Sequence, residues 1–302
     1  MRNIICNLLL IFILILFPCL EEARGEMITD QLGRQIEVPE NPQRIISLAP
    51  SITEIVFDLQ QEKRLVGVTQ FSTYPDAAKK IPRVGSYVRL DIEKIIALKP
   101  DLCLSIKDGN PIHIINRIEE MGIPVYAIDP RNLNQTMETI VVLGEILQAQ
   151  LIAERLVDDM QKRIARVRSK LTGTSVRPQV FFQIDANPIV SAGNNTFINE
   201  LIELAGGINT AAGKDPYPRF NWEDILHLQP EIVVISAMAG GLDDQQLKET
   251  WQHWQQLSAV RNNQVFVVDA GMFDRATPRL VTGLETLARI IHPDLFHVGV
   301  KN

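Results

Sequence analysis

Beyond Ile45 the chain alternates short aliphatic runs with amphipathic stretches. The runs at 45–48, 65–68, 102–105, 125–128, 180–183, 232–236 and 265–268 have the length of buried strands, and turn residues bound them. Apolar residues at helical spacing begin near Ser51, Ile92, Pro111, Asn199, Asn221, Asp244 and Pro278. Alternation of this kind predicts an α/β protein with mainly parallel sheets.

One segment interrupts it. Residues 132–170 hold no proline and one glycine, Gly144, with apolar residues at helical spacing from Ile140 through Leu151 and Met160 to Val167. A single helix of roughly 35 residues would run about 50 Å and could bridge two domains; two helices with a break near Gly144 are the other reading. Either way the boundary falls here. The expected organisation is a leader at 1–25, an N-terminal α/β lobe at 26–131, an interdomain helix at 132–172 and a C-terminal α/β lobe at 173–302.

The two lobes also share an echo. "IEKIIALKPDLCL", starting at Ile92, and "WEDILHLQPEIVV", starting at Trp222, align without gaps. Glu93 matches Glu223, Ile95 matches Ile225, Leu98 matches Leu228 and Pro100 matches Pro230, while Asp101 faces Glu231. Each copy reads as a helix with a carboxylate in its first turn, favourable against the helix dipole, then a proline stop and a buried strand.

The first 25 residues follow another pattern. Arg2, an almost purely aliphatic run at 8–17 and the small residues of Ala23-Arg24-Gly25 have the order of a secretory signal. Export to the periplasm is therefore expected, with a mature chain from about Glu26. A retained anchor is the alternative, although the apolar run is shorter than the ~20 residues of a spanning helix. Cys19 follows Leu16-Phe17-Pro18 as in a lipoprotein signal, but Phe17 and Pro18 are bulky where small residues are wanted. After cleavage only Cys103 remains, so the mature monomer forms no internal disulfide, and the apolar "DLCLS" predicts a packed, inert thiol.

Composition narrows the partners. At 302 residues, 46% hydrophobic and 22% charged, the chain has room for two cores. A net charge of -6 without any basic run argues against nucleic acid and anionic membrane surfaces.

Candidate chemistry begins at "RIISLAPSITEIVFDLQ", where Ser51, Thr53 and Glu54 stand at a strand-to-helix handover. Ser51 and Glu54 have the S-x-x-E spacing of a capping box. An exported hydrolase using Ser51 with a distant histidine is the enzymatic alternative, but no nucleophile elbow, phosphate loop or zinc motif occurs. His113, His227, His253, His292 and His297 are scattered without metal-ligand spacing. No catalytic residue, metal site or cofactor is expected. A fused extracytoplasmic sensor would need a spanning helix and an output domain, and neither is visible. Aromatic, turn-rich loops do cluster near strand ends: "TQFSTYP", "GSYVRL", "DPYPRFNW" and "DAGMFDRATPR". Such loops in both halves favour a cleft that grips something large and partly apolar.

"RIISLAPSITEIVFDL", "VGVTQFSTYP", "LDIEKIIALKPDLCLS", "FFQIDANPIVSAGNN", "LIELAGGIN" and "FDRATPR" together resemble the periplasmic cobalamin-binding proteins of ABC importers. More broadly they resemble the solute-binding proteins for cobalamin, haem and ferric siderophores. The resemblance runs from about Arg44 to the last helix. It implies two α/β lobes with mainly parallel sheets, one long interdomain helix and a ligand cleft between the lobes. It also implies a monomer that hands cobalamin or a related corrinoid to the transmembrane subunits of an ABC permease, with haem or another large metal chelate as the alternative ligand.

Motif by motif, the resemblance places aromatic pocket residues at Phe71, Tyr87 and Tyr217. It places the last cleft loop at Gly271, Met272, Phe273, Asp274 and Arg275, and the pocket floor at Pro50 and Ser51. Two permease-docking carboxylates, one per lobe, fall on Glu93 and Glu223, the glutamates of the echo. Tyr87, Ile106, Tyr217 and Met272 stand where close cobalamin binders carry tryptophan, and Ala205 and Ala288 where they carry a cysteine pair. Ligand identity is therefore open, and Arg83, Arg89, Arg219, Arg275 and Arg279 leave room for an anionic siderophore chelate.

Overall fold

A computed structural model describes residues 25–236 and 243–296. Residues 1–24 of the expected leader, with Cys6 and Cys19, lie outside the described residues, as does His297.

The described chain opens on a hairpin of β1 (Gly25–Thr29) and β2 (Gln35–Pro39). Asp30 forms the turn by accepting from the backbone N–H groups of Leu32 and Arg34 at 3.0 and 2.8 Å. The N-terminal lobe continues through β3 (Ile45–Ser47), α1 (Pro50–Asp58) and β4 (Leu65–Val68). There follow a short hairpin of β5 (Gly85–Ser86) and β6 (Arg89–Leu90), then α2 (Ile92–Ala97), β7 (Leu102–Ile106), α3 (Ile112–Glu120) and β8 (Val125–Ile128). The sheet order is β4-β3-β7-β8, parallel throughout. Its strands are buried nearly end to end, as strands covered on both faces must be. Cys103 on β7 is fully buried, and burial pushes its thiol well above the ordinary range.

The bridging segment overturns the single-helix reading and bears out the other, a break near Gly144. Instead of one helix over 132–172 there are two, α4 (Leu133–Ile146) and α5 (Gln150–Leu171). Gln148 adopts a left-handed backbone with φ 54°. The N–H groups of Gln148 and Ala149 donate back to the carbonyls of Glu145 and Gly144, which is a Schellman stop. Hydrophobic spacing runs straight through this break because both helices bury one face in the same core. The long helix between the lobes is thus α5, 22 residues or about 33 Å.

The second lobe comprises β9 (Gln179–Ala186), β10 (Ile189–Ser191), α6 (Phe197–Leu204), β11 (Ile208–Asn209) and β12 (Arg219–Phe220). It continues with α7 (Trp222–Leu228), β13 (Ile232–Ile235), α8 (Asp244–Gln252) and α9 (Ser258–Arg261). The last elements are β14 (Val265–Val267), α10 (Arg279–Ile291) and α11 (Pro293–Phe296). Strands β9, β13 and β14 run parallel, and β10 and β12 extend the sheet antiparallel beyond β9. Ala205 and Ala288, where close cobalamin binders carry cysteines, are both fully buried in the core that α6 and α10 share. One continuous cluster joins Ile45 and Leu104 of the first sheet to Val180 and Phe182 of the second through Met160, Ile164 and Val167 of α5.

The echo is a repeated piece of architecture. Asp91 and Asn221 cap the two helices, accepting from the N–H groups of Lys94 and Asp224. Lys99 and Gln229 occupy the same left-handed stop, φ 46° and 44°, before the prolines. Asp101 then accepts from the N–H groups of Gln43 and Arg44 at the mouth of β3, and Glu231 accepts from Gln179 N at the start of β9. In both lobes the acid after the proline ties the new strand to its parallel neighbour. The repeat also reaches further upstream than its sequence suggests, since β6 and β12 each set an arginine, Arg89 or Arg219, before the capped helix.

Candidate functional site

Loop 69–72 follows β4 and carries Phe71, 46% exposed. The turn between β5 and β6 carries the half-buried Tyr87. The two rings meet edge to face with centroids 5.8 Å apart, so the structure brings these two expected site residues together. Tyr74, 46% exposed, stands three residues beyond Phe71 in the same "TQFSTYP" loop. Tyr217 is 63% exposed and lies within electrostatic reach of Asp274 in its own lobe and of Arg131 and Asp108 in the other.

The far wall is the segment from Asp269 to Arg279, which follows β14. Its arginines cross to the first lobe. Arg275 Nη1 donates to Glu54 Oε1 at 2.7 Å, and Arg279 Nη1 stands 3.8 Å from Glu54 Oε2. Arg279 also holds Asp269 at 2.5 Å and lies over the Tyr74 ring, 4.2 Å from its centroid. Gly271 makes room for this, because a Cβ there would come within 2.6 Å of Arg279 Nη1. Glu54 is 1% exposed. Burial pushes its carboxyl up, outweighing the downward pull of Arg275 and Arg279.

These contacts correct the capping-box expectation. Helix α1 is capped at Ala49 with no side-chain bond, and Pro50 occupies its first turn. Glu54 serves an ion pair between lobes, and Thr53 serves a hydroxyl chain: its Oγ1 lies 2.8 Å from Ser47 Oγ and 2.9 Å from Ser72 Oγ. Pro50 is buried, leaving the half-buried Ser51 as the exposed part of the expected floor.

The last loop divides in the same way. Gly271, Met272 and Asp274 are partly open, and Arg275 is at the cleft with Nη1 committed to Glu54. Phe273 is a correction: at 1% exposure its ring packs on Phe182, centroids 5.2 Å apart, inside the core. The phenylalanine that sequence places on the cleft wall is the anchor of its loop. Two concavities, about 440 Å³ beside Arg34 and Glu119 and about 250 Å³ beside Arg168 and Arg177, touch none of these loops, and neither is lined by an aromatic ring.

Asp274 carries the strongest titration signature here. Burial raises its carboxyl to about 7, against the lowering effects of Arg275 and of Ser236, whose hydroxyl lies 3.5 Å away. A folded-state pKa above the unfolded one means that stability from this group is full at low pH and is lost as pH rises through about 7. Asp274→Asn is therefore expected to raise the melting temperature at pH 8, by the equivalent of ~1–2 kcal/mol once solvent screening is allowed for, and to change it little at pH 4. Melting curves at both pH values check this; an equal shift at both would contradict it.

Glu93 and Glu223 occupy matching places in the first turns of α2 and α7. Both are exposed, and neither carboxylate makes an ion pair or hydrogen bond among the described residues. No group of three or more His, Cys, Asp or Glu that could hold a metal ion comes together among the described residues. Likewise, no described helix is long and apolar enough to cross a membrane.

Two α/β lobes, a helix between them, and rings facing an arginine-rich loop across the junction define a two-lobed solute-binding protein. The chain belongs to the periplasmic binding protein family, matching it over residues 45–271. It is 32% identical over 248 residues to the vitamin B12-binding protein of Vibrio cholerae, spanning 80% of this chain and 87% of that protein. It is 30% identical over 275 residues to YvrC of Bacillus subtilis, an uncharacterized ABC transporter substrate-binding lipoprotein, spanning 89% and 86%. Among solved structures, the periplasmic vitamin B12-binding protein BtuF of Vibrio cholerae superposes with a TM-score of 0.74 at 29% identity, over 84% of this chain and 98% of that one. A periplasmic haem-binding protein of Pseudomonas aeruginosa gives 0.77 at 26%, over 84% and 94%.

Proposed function

We propose that this protein is the extracytoplasmic solute-binding subunit of an ABC importer, that it captures cobalamin or a related corrinoid in the interlobe cleft, and that it performs no chemistry of its own. The observation that carries the ligand reading is the state of the cleft's cations beside its exposed ring pair. Of the five arginines that could meet an anionic chelate, Arg275 is engaged by Glu54 and Arg279 by Asp269 and Tyr74. Arg83 donates to two backbone carbonyls. Only Arg89 and Arg219 make neither an ion pair nor a side-chain hydrogen bond among the described residues. A cleft in which three of the five arginines are already engaged from within, two by carboxylates and one by backbone carbonyls, suits a large uncharged macrocycle resting on Phe71 and Tyr87. Haem, whose two carboxylates want free cations, is the second reading; it is favoured by the haem-binding neighbour and by Arg89 and Arg219. The hydrolase reading gains nothing, because Ser51 makes no hydrogen bond to a histidine among the described residues.

Phe71 and Tyr87 form one ligand wall, Ser51 the floor, and Gly271, Met272, Asp274 and Arg275 the opposite rim with Tyr217. Glu93 and Glu223 present the loaded protein to the permease. Export through the leader places the protein in the periplasm, and the lipoprotein relative supports a lipid anchor at Cys19 as the other form. Phe71→Ala is expected to weaken cyanocobalamin binding about tenfold or more, since loss of a stacked aromatic removes ~1.5–3 kcal/mol. Equilibrium binding reads this directly, and unchanged affinity would remove Phe71 from the site.

A further inference from the structure

An exposed ring on a loop presents a defined face only if the loop is held. Phe71 and Tyr87 sit on two separate loops, yet they meet at 5.8 Å edge to face. Two buried or half-buried polar side chains, neither of them part of the ring wall, account for this. Arg83 Nη1 donates to Thr69 O at 2.7 Å and to Ser72 O at 2.9 Å, so one nitrogen closes both ends of the turn that displays Phe71. Beneath that turn Ser72 Oγ bonds to Thr53 Oγ1 and Thr69 Oγ1, and Gln70 N donates to Gly85 O on the strand leading to Tyr87. Asn110 does the equivalent work on the other loop. It is 7% exposed and fully satisfied: Nδ2 donates to Tyr87 O at 2.8 Å and to Leu48 O at 2.9 Å, and Oδ1 accepts from Ile106 N at 2.8 Å. Next to it Gly109, at φ +126°, leaves space for the Tyr87 ring, which a Cβ there would approach to 2.8 Å.

Resting on the ligand reading above, we propose that Arg83 and Asn110 are positioning residues for the ligand wall, acting through Phe71 and Tyr87 to present the rings pre-set. Arg83 is then a staple of the wall rather than a cation for an anionic ligand. Fixing both loops before binding removes an ordering cost that would otherwise be charged to affinity.

A double-mutant cycle with cyanocobalamin as the measured ligand tests this, with haemin as the second. Arg83→Met is expected to weaken binding about tenfold in the wild-type background and hardly at all in a Phe71→Ala background, because the ring through which Arg83 acts is gone. Arg83→Lys, which keeps a donor for both carbonyls, regains most of the affinity. Asn110→Asp, which turns two donors toward two carbonyls into acceptors, weakens binding in the wild type but not in Tyr87→Ala. Equal losses in both backgrounds would overturn the proposal by making the effect global. A second readout keeps it testable without a ligand: in protein labelled with 3-fluorotyrosine, the fluorine resonance of Tyr87 is expected to shift or split in Asn110→Ala, while that of the core residue Tyr126 stays in place. An unmoved Tyr87 signal sinks the proposal. Failure of the wild type to bind either compound sinks the ligand reading and leaves the fluorine result to decide the positioning role.

Discussion

Arg275→Ala is expected to destabilise the protein by ~3–5 kcal/mol near pH 8, because it strands the Glu54 carboxylate, 1% exposed, without its hydrogen-bonded counter-charge. The loss should shrink on acidification. Burial already raises the Glu54 carboxyl, and removing Arg275 removes the largest opposing influence, so the folded variant favours a protonated Glu54. Stability held by that protonated form is present at low pH and falls as pH rises, so the variant should lie closer to wild type at pH 5 than at pH 8. Glu54→Gln added to Arg275→Ala should restore part of the loss at pH 8. Denaturant unfolding at the two pH values checks all three statements. A loss independent of pH would mean that Arg275 contributes packing alone.

The second large effect concerns transport. Glu93→Arg with Glu223→Arg is expected to abolish uptake of cyanocobalamin by cells that depend on the protein, while leaving its affinity for cyanocobalamin unchanged. Both carboxylates are exposed on the first turn of a capped helix, clear of any internal ion pair, so reversing them disturbs little within the fold. At a complementary charged surface the double reversal should cost about 4 kcal/mol, roughly a thousandfold in association with the permease. Uptake at the wild-type rate would remove the docking role. Unfolding of the double variant is not expected, since a cation in place of a carboxylate in the first turn costs about 1 kcal/mol per helix against the dipole, a fraction of a domain's stability.

How the sequence encodes these features differs from one to the next. The strands of both sheets were legible because a parallel strand covered on both faces must be a nearly unbroken aliphatic run, as at Ile232–Ile235. The echo was legible because the module is local, from cap to proline stop to strand. The break at Gln148 was legible only as the second of two readings, prompted by Gly144, since two helices sharing one core keep one hydrophobic period across their junction. Strand β12 and the hairpin of β5 and β6 were too short to leave a pattern.

At the site, local spacing misled where a distant partner decided the outcome. Ser51 and Glu54 have the spacing of a capping box, yet the partner of Glu54 is Arg275, 221 residues away. The one hint in the sequence was the pairing of an acid in the first helix with the two arginines of "FDRATPR", and spacing alone cannot connect them. Phe273 shows the reverse. An aromatic in a cleft loop reads as a ligand contact, but contact with Phe182 turns it inward to hold the loop. Tyr74, Arg83 and Asn110 shape the wall through a stacked guanidinium and backbone carbonyls, contacts that carry no sequence signature.

The central claim, that the interlobe cleft takes an uncharged corrinoid, is tested most directly by calorimetric titration of the purified protein with cyanocobalamin, cobinamide, haemin and a ferric siderophore. Saturable binding of the corrinoids at one site per chain, at least tenfold tighter than haemin or the siderophore, is the predicted result. Tight binding of haemin or the siderophore with none of either corrinoid would contradict it.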